Sequence, residues 1–317
     1  MINVSREFRA IDLRRRLFLA QSAKFASLMG TVVASSQSQS IYHWVTRDSG
    51  VRVKIALNAY SFDEQLRKGT MTLEGLIDFC AEQGLDALDA TGYYFPTYPR
   101  VPTDETIYRL KRKAYVNGVA ISFTGVKNDF TLPSVTARQK QVQLVKDWIV
   151  VASKLGAPMI RVFTGPAQPH AYTFEQAVEW MVPNFRECAE FAKTRGVTIG
   201  LQNHEDFIRT ADQVIRIVKA VNSKWFGSIL DIGSLRQYDV YQEIEKLLPY
   251  AVSWLIKENV WYGEKPVAVD LYRIKAIVDR QGYRGYLPIL TLGEGDPAGK
   301  VIKMAKDIRA VFAAECG

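Results

Sequence analysis

One short unit recurs along the chain: an amphipathic helical stretch, then a glycine, then a run of apolar and β-branched residues. The glycines of five such units are Gly84, Gly118, Gly156, Gly196 and Gly282. Glycine adopts the left-handed backbone conformation without side-chain strain, so each unit predicts a helix end and a turn into a strand. The successive spacings are 34, 38, 40 and 86 residues. The last spacing leaves room for one further unit, which we place near the SILDIG segment.

Strand and helix candidates alternate after residue 52. Eight near-continuous apolar runs predict parallel strands that are covered on both faces, at residues 53–58, 86–91, 119–124, 159–163, 197–202, 227–231, 252–257 and 286–290. The segments between them predict helices at residues 72–83, 104–117, 136–155, 174–195, 210–222, 239–248, 268–281 and 297–314. Eight such units predict an α/β fold, a single-domain (β/α)8 TIM barrel. An open doubly wound sheet is the alternative, but no G-x-G-x-x-G follows the first strand.

The first fifty residues have a different character. Arg14 and the two arginines after it precede a modestly apolar stretch and a Ser/Gln-rich segment. This arrangement is typical of a secretory leader and resembles the twin-arginine type, so we expect an exported, periplasmic protein. The alternative is an amphipathic basic helix with a disordered linker on a cytoplasmic protein. The predicted divisions are a signal peptide at 1–34, a linker at 35–51 and the barrel at 52–317.

Charge and cysteine content narrow the classes of function. The formal net charge is +8, and residues 1–34 supply +4 of it, with six basic against two acidic residues. The remaining domain is only mildly basic, which argues against a nucleic-acid partner. Three scattered cysteines are too few for a disulfide framework or a Cys-based metal site. Polar residues interrupt the N-terminal apolar stretch, so we expect no stable membrane span in the mature form.

In a barrel of this type the chemistry lies at the carboxyl ends of the strands. The polar residues at or just after these ends are Asn58, Tyr60, Ser61, Asp89, Thr91, Tyr93, Lys127, Asn128, Asp129, Arg161, Thr164, Gln202, Asn203, His204, Glu205, Asp206, Asp231, Ser234, Lys257, Glu258, Thr291 and Glu294. Each of them alone could instead cap the next helix. As a set they predict a site for a polyhydroxylated ligand, and the aromatic residues among and around them suit the C–H faces of a sugar ring.

Four segments, at the fifth to eighth predicted strands, carry a family resemblance: IGLQNHEDF, FGSILDIGS, VSWLIKEN and GYLPILTLGEGDP. In this order they resemble the xylose isomerase-like TIM barrels, which include sugar-phosphate isomerases, ketose 3-epimerases and inosose dehydratases. The resemblance extends over about residues 52–314 and is closest to an exported bacterial branch. It implies a small-molecule carbohydrate as partner, and it leaves a homo-oligomer open.

The resemblance also implies a divalent cation, Mn²⁺, Mg²⁺ or Co²⁺, bound by a Glu, an Asp, a His and a Glu at the last four strands. Carried over position by position, these ligands fall on Gln202, Asp231, Leu255 and Leu290. Only the aspartate is retained, and Gln202 offers a neutral oxygen. We therefore expect either a metal held by Gln202 and Asp231 with substitute ligands such as Glu258, Glu294 or His204, or no metal at all.

The candidate site residues follow from these arguments. We select as catalytic candidates His204, Lys257, Glu258 and Asp231. We select as substrate-binding candidates Asn58, Tyr60, Tyr93, Asn128, Asp129, Arg161 and Asn203. Lys257 could hold a substrate oxyanion, form an imine or pair with a carboxylate. His170 is a candidate lid residue, and His43 falls in the linker.

Three functions remain open at this point. The first is a sugar, sugar-derivative or cyclitol isomerase or epimerase that transfers a proton at a carbon next to a carbonyl. The second is a non-catalytic sugar-binding barrel that has lost its metal. The third, the DNA-cleaving branch of the same family, needs a histidine-rich zinc cluster. The predicted barrel contains only His170 and His204, so we set the third aside.

Overall fold

The protein is described here by a computed structural model that covers residues 53–166, 172–204 and 207–313. The predicted leader and linker lie outside the described residues, as do His43, His170, Glu205, Asp206 and Cys316. The expectations that rest on them stay predictions.

Ten strands form in the described residues: β1 (Lys54–Asn58), β2 (Ala87–Asp89), β3 (Ala120–Gly125), β4 (Met159–Val162), β5 (Thr198–Gln202), β6 (Phe226–Asp231), β7 (Ala251–Lys257), β8 (Asn259–Tyr262), β9 (Lys265–Ala268) and β10 (Tyr286–Leu290). β1 to β7 and β10 close into a barrel in which every neighbouring pair is parallel. β8 and β9 pair antiparallel as a separate ribbon. The predicted (β/α)8 barrel is therefore confirmed.

Nine α-helices lie in the same described ranges: α1 (Asp63–Lys68), α2 (Leu73–Glu82), α3 (Asp104–Val116), α4 (Val135–Leu155), α5 (Phe174–Lys193), α6 (Ala211–Val221), α7 (Val240–Leu247), α8 (Leu271–Gln281) and α9 (Pro297–Ala313). Short 3₁₀ turns are present at Ala59–Phe62, Gly92–Tyr94 and Leu248–Tyr250. The predicted strands and helices agree with these bounds to within two residues, except that α8 begins three residues later than predicted. The sequence pattern predicted neither α1 nor the β8–β9 ribbon.

The helix-ending role of the five glycines is confirmed. Their φ angles lie between 62° and 79°, in the left-handed region. The further unit near SILDIG is α6 followed by β6, and its helix ends at Asn222 with φ 51°. Asparagine tolerates the left-handed conformation better than most residues do, which explains why the glycine signal was missing there.

Two apolar regions fill the fold because side chains alternate between the two faces of each strand. Most buried residues, with Trp148, Trp254 and Phe185 among the largest, pack between the barrel wall and the helices. A small second cluster fills the inside of the barrel, and its members are Phe123, Met159, Ile229, Leu255 and Leu290. The barrel interior is thus a packed apolar floor below the carboxyl ends of the strands.

Two smaller expectations concern the cysteines and the membrane. Cys80 and Cys188 are free and buried, and burial raises the pKa of each thiol to about 12. Neither thiol is therefore a reactive nucleophile at neutral pH. Among the described helices none combines the length and the hydropathy that a membrane span requires.

Gly118 provides a test of the helix-ending rule. Its φ is 68°, and a Cβ added there would meet no atom within 4 Å, so a substitution changes only the backbone strain. We expect Gly118→Ala to lower the free energy of unfolding by about 1 kcal/mol, and Gly118→Asn to lower it less. Urea denaturation measures both values. Equal losses in the two variants would contradict this explanation of Asn222.

Leu255 provides a test of the apolar floor. Its side chain is fully buried inside the barrel, so Leu255→Ala should lower the free energy of unfolding by about 2–5 kcal/mol, the usual cost of a cavity. Leu255→Met, which conserves volume, should cost under about 1.5 kcal/mol. A loss below 1 kcal/mol for the alanine variant would show that this position is not packed as described.

Candidate functional site

Six of the eight barrel strands carry a polar side chain at their last inward-facing position, at the carboxyl rim. We call this set the rim layer, and its members are Asn58 (β1), Asp89 (β2), Arg161 (β4), Gln202 (β5), Asp231 (β6) and Lys257 (β7). All of them except Lys257 are at most 4% exposed. The rim layer lies directly above the apolar floor, because each residue two positions earlier on β4, β6 and β7 belongs to the inner cluster.

One half of the rim layer is built around Asp231. Its Oδ2 accepts hydrogen bonds from Gln202 Nε2 at 2.8 Å and Ser234 Oγ at 2.9 Å, and its Oδ1 accepts one from Gly233 N at 3.0 Å. Lys257 Nζ lies 2.8 Å from the same Oδ2. Four donors therefore hold this carboxylate in place. The oxygen of the Gln202 amide, Oε1, is buried and has no hydrogen-bond partner among the residues that the structure describes.

Lys257 reaches Asp231 across the backbone of the β6–α7 loop. A Cβ at Gly233 would lie 2.3 Å from Lys257 Cδ, so only glycine leaves room for the lysine stem. The next residue, Glu258, projects to the other side of the strand. Its Oε2 accepts a hydrogen bond from Leu292 N at 3.1 Å and lies 3.3 Å from Lys300 Nζ. The structure thus places Lys257 in the rim layer and Glu258 outside it.

The other half of the rim layer is built around Asp89, which is fully buried. Its Oδ2 accepts hydrogen bonds from Asn58 Nδ2 at 2.6 Å and Thr91 Oγ1 at 3.1 Å, and it lies 3.9 Å from Arg161 Nη1. Within the described part of the chain its Oδ1 has no hydrogen-bond partner. Burial raises the pKa of this carboxyl to about 7, although the Arg161 charge and the Thr91 hydrogen bond act in the opposite direction.

Arg161 is fixed between two aromatic rings. Its guanidinium carbon lies 5.6 Å from the centre of the Tyr93 ring and 5.0 Å from that of Phe163, and Nη2 donates a hydrogen bond to Tyr93 OH at 3.1 Å. A Cβ at Gly125 would come within 2.9 Å of Arg161 Nε. Arg161 Nε itself is buried. The guanidinium is therefore held rigidly, and its Nε–H remains without a hydrogen-bond partner among the described residues.

Three asparagines that sequence analysis selected for substrate binding are engaged with the protein itself. Asn128 bonds the backbone of Phe163 at both N and O, at 2.9 and 2.7 Å. Asn203 does the same with the backbone of Asp231, at 2.8 and 2.9 Å. Asn58 accepts a hydrogen bond from Tyr60 N at 2.9 Å and donates to Asp89. These amides position neighbouring strand ends.

The aromatic candidates form a connected group beside Arg161. The ring of Tyr93 lies 6.4 Å from that of Tyr60 and 6.2 Å from that of Tyr98, in edge-to-face geometry. Tyr60 is 37% exposed, so it can contact a ligand from solvent. The Asp129 carboxylate is engaged within its own loop, since its Oδ1 accepts hydrogen bonds from the backbone and hydroxyl of Thr131 at 2.8 and 2.6 Å.

His204 lies near the same rim but outside the rim layer. Its ring is 5.5 Å from that of Phe163, in edge-to-face geometry, and its side chain is half-buried. It therefore contacts the ring that also covers Arg161. Its predicted catalytic role stays a prediction.

Sequence analysis placed Asp89 among the strand-end residues but did not select it for the site. The signal was present, since Asp89 ends β2 as Asp231 ends β6. What the sequence did not show is the pairing of Asp89 with Arg161, which lies 72 positions away. Asn58, Arg161, Gln202, Asp231 and Lys257 lie together in the rim layer with Asp89, and their functional roles stay predictions.

The four positions that correspond to the family's metal ligands carry a poor donor set. Leu255 and Leu290 offer no donor and pack in the apolar floor. The Asp231 carboxylate carries the Lys257 ammonium at 2.8 Å. In the part of the chain that the structure describes, no group of three or more His, Cys, Asp and Glu side chains is arranged to hold a metal ion. Among these four positions only Asp231 offers a carboxylate, the donor that Mn²⁺ and Mg²⁺ prefer.

Solved structures of low sequence identity share this fold. D-psicose 3-epimerase from Clostridium cellulolyticum H10, solved with D-tagatose, is 19% identical, with 82% of this chain and 96% of that chain covered at a TM-score of 0.62. The 3-keto-D-glucoside 4-epimerase YcjR from E. coli is 13% identical, with 82% and 100% covered at 0.67. The IOLI protein with a bound zinc atom is 16% identical, with 82% and 98% covered at 0.66.

No curated protein matches the sequence at a significant level. A family model does match, over residues 77–308, and its description is "Xylose isomerase-like TIM barrel". The matched segment spans well over half of the chain and includes the strands that carry Asp89, Arg161, Gln202, Asp231 and Lys257. This chain therefore belongs to the xylose isomerase-like TIM barrel family.

Proposed function

We propose that this protein is a sugar isomerase or epimerase-like enzyme that moves a proton at a carbon next to a carbonyl group. The proposal is supported by the charged rim layer, by the tyrosines beside it and by structural neighbours that are sugar epimerases. A sugar is the substrate class that the site favours, since it presents hydroxyl groups to polar atoms and C–H faces to aromatic rings.

The observation that carries the proposal is the unpaired oxygen of the buried Asp89 carboxyl. A general acid or base needs a free atom that can reach the substrate and a pKa near the working pH. Asp89 Oδ1 has no hydrogen-bond partner, and burial raises the pKa of the carboxyl to about 7. Asp89 can therefore take a proton from a carbon and return it to the same or an adjacent carbon.

Other buried polar atoms at the rim also lack partners, which favours a ligand with several hydroxyl groups. These atoms are Arg161 Nε, Gln202 Oε1 and Thr291 Oγ1. A buried polar atom without a hydrogen-bond partner destabilises the protein. A ligand that forms hydrogen bonds to these atoms removes that cost, which favours its binding. We assign Arg161 and Gln202 to substrate orientation, with Tyr60 and Tyr93 as the aromatic wall.

A further part of the proposal is that the family's metal site has been lost. It is supported by the two leucines at ligand positions and by the ion pair that Asp231 makes with Lys257. A metal, if bound, would polarise the substrate's oxygens, which is the task that a Lewis acid performs in such chemistry. The residues described here do not fit that task, so the proposed mechanism relies on the side chains alone.

A non-catalytic sugar-binding barrel is the second candidate. It is favoured by the same substitution of Leu255 and Leu290 for metal ligands. The two candidates differ in one observable: an enzyme exchanges a substrate proton with solvent, whereas a binding protein only shields the bound sugar.

Hydrogen exchange tests the proposed function. The full chain is incubated in D₂O with D-fructose, D-tagatose or an inosose, and deuterium on the carbons next to the carbonyl is measured by NMR and mass spectrometry. We expect enzyme-dependent incorporation into at least one probe. Saturable binding of a probe without any incorporation would support the binding protein and contradict the enzyme.

Asp89→Asn is the matching variant, and Asp86→Asn is its control. Asp86 precedes the same strand at its opposite end, where its Oδ2 accepts a hydrogen bond from Ile55 N at 2.8 Å. We expect Asp89→Asn to lower the exchange rate by about 10²–10⁴-fold, the usual contribution of a general acid or base, and Asp86→Asn to leave it unchanged. Equal effects of the two substitutions would contradict the assignment.

The pH dependence gives a second readout for Asp89. The groups that face it are Asn58, Thr91, Tyr93 and Arg161. Its pKa is raised to about 7, so the base becomes active as the pH rises through about 7 and wild-type exchange should increase there. Folding stability should change the opposite way, because the protonated form favours the folded state and this contribution is lost as the pH rises from about 4 to 7. Asp89→Asn should lack that loss of stability, as urea denaturation at several pH values measures.

A further inference from the structure

The position of Lys257 invites a more specific assignment. Its Nζ lies 2.8 Å from Asp231 Oδ2, and its side chain is only 13% exposed. Asp231 is the one ligand of the family's metal set that this chain retains. A positive charge thus lies on the same carboxylate that the resemblance assigns to a cation.

The surroundings of Lys257 hold its charge at one place. Gly233 leaves room for the lysine stem, and Gln202 and Ser234 fix the carboxylate on which the ammonium rests. Two positions earlier on the same strand lies Leu255, and the register partner of Lys257 on β10 is Leu290, so the charge is beside apolar side chains. A charge held beside such side chains acts more strongly on a bound ligand than a charge in water does. The ammonium pairs with Asp231, and its three N–H groups are donors that can also bond a ligand oxygen.

We propose that the Lys257 ammonium is the fixed cation of this site, that it takes the place of the family's divalent metal beside Asp231, and that it binds the carbonyl oxygen of the substrate. This inference rests on the proposed function for its catalytic part. It goes beyond that function in naming a metal-independent electrophile and the atom of the substrate that it contacts.

The proposed step is balanced without an oxidant or a co-reactant. Asp89 removes the proton from the carbon next to the carbonyl, and the C–H electron pair becomes the new C=C bond. The carbonyl π electrons move to oxygen, and the Lys257 ammonium stabilises the resulting negative charge by hydrogen bonding. The hydroxyl proton on the neighbouring carbon then passes to the former carbonyl oxygen, and that O–H electron pair becomes the new C=O bond. Asp89 returns its proton to the former carbonyl carbon, where the C=C electron pair forms the new C–H bond of the isomeric sugar.

The arrangement of the barrel agrees with this division of roles. Asp89 ends β2 and Lys257 ends β7, and the ring order places β1 and β10 between them. The base and the cation therefore lie on strands that are separated by two others in the ring. The ion pair with Asp231 assigns Lys257 to hydrogen bonding with the substrate and not to imine formation.

A metal titration tests the placement of the cation independently of activity. Mn²⁺ is titrated into the wild type, Lys257→Met and Lys257→Glu, with binding followed by calorimetry and by electron paramagnetic resonance. We expect no stoichiometric Mn²⁺ in the wild type and about one Mn²⁺ per chain in Lys257→Glu, where carboxylates replace the ion pair. Stoichiometric Mn²⁺ in the wild type, or none in a folded Lys257→Glu variant, would overturn the placement.

Solvent exchange of the responsive sugar probe tests the catalytic part. We expect Lys257→Met to lower kcat by about 10²–10³-fold, as the loss of one oxyanion donor does, with a smaller change in KM, and Lys257→Arg to restore part of the rate. Lys300→Met is the control, since this lysine pairs with Glu258 outside the rim layer. EDTA should leave wild-type exchange unchanged, and borohydride should not trap the sugar on Lys257.

The outcomes separate the two proposals. If EDTA abolishes exchange, or if borohydride labels Lys257, the inference is overturned while the proposed function stands. If no probe exchanges with the wild type, the proposed function fails together with the catalytic role, and the Mn²⁺ titration still decides the placement. Because Lys257→Met leaves Asp231 buried without its cation, the double variant Lys257→Met/Asp231→Asn is compared by thermal unfolding, so that loss of folding is not read as loss of catalysis.

Discussion

The site depends on one geometric constraint, the alternation of side chains along parallel strands that close into a ring. Alternation sends every second residue into the barrel, and parallel closure brings the last inward residues of all strands to the same rim. The floor residues Met159, Ile229 and Leu255 are each followed two positions later by Arg161, Asp231 and Lys257, respectively. The same periodicity therefore builds an apolar floor and a charged layer above it.

Periodicity and glycine also explain how far the fold could be predicted. Left-handed glycines at helix ends gave the number of units, because their conformation depends on one residue and little on its surroundings. Asn222 adopts the same conformation without the same signal. The β8–β9 ribbon was missed because two strands of four residues carry too short an alternation to stand out from a loop. Its formation depends on pairing across the Gly263 turn, a contact that local pattern does not reveal.

The positions of the candidate site residues could be predicted from the sequence, but the hydrogen-bond partners of their side chains could not. The strand-end rule located Arg161, Gln202, Asp231 and Lys257, because their place in the rim follows from strand register alone. The roles of the asparagines did not follow from that rule. Asn128 and Asn203 each bond the backbone of the next strand's end, so they extend the barrel's hydrogen-bonding by one residue. Such a role depends on the register between two neighbouring strands, and the local sequence pattern does not reveal that register.

The two carboxylates of the rim layer differ in a way that suits the different tasks proposed for them. Asp231 accepts hydrogen bonds or charge from four donors, whereas Asp89 keeps one oxygen without a partner. Buried ion pairs contribute little net stability, so stability alone is a weak reason for two of them in one layer. A saturated carboxylate suits the holding of a cation, and a carboxyl with a free oxygen and a raised pKa suits the movement of a proton. The difference in hydrogen bonding between Asp231 and Asp89 is therefore what the proposed acid–base site requires.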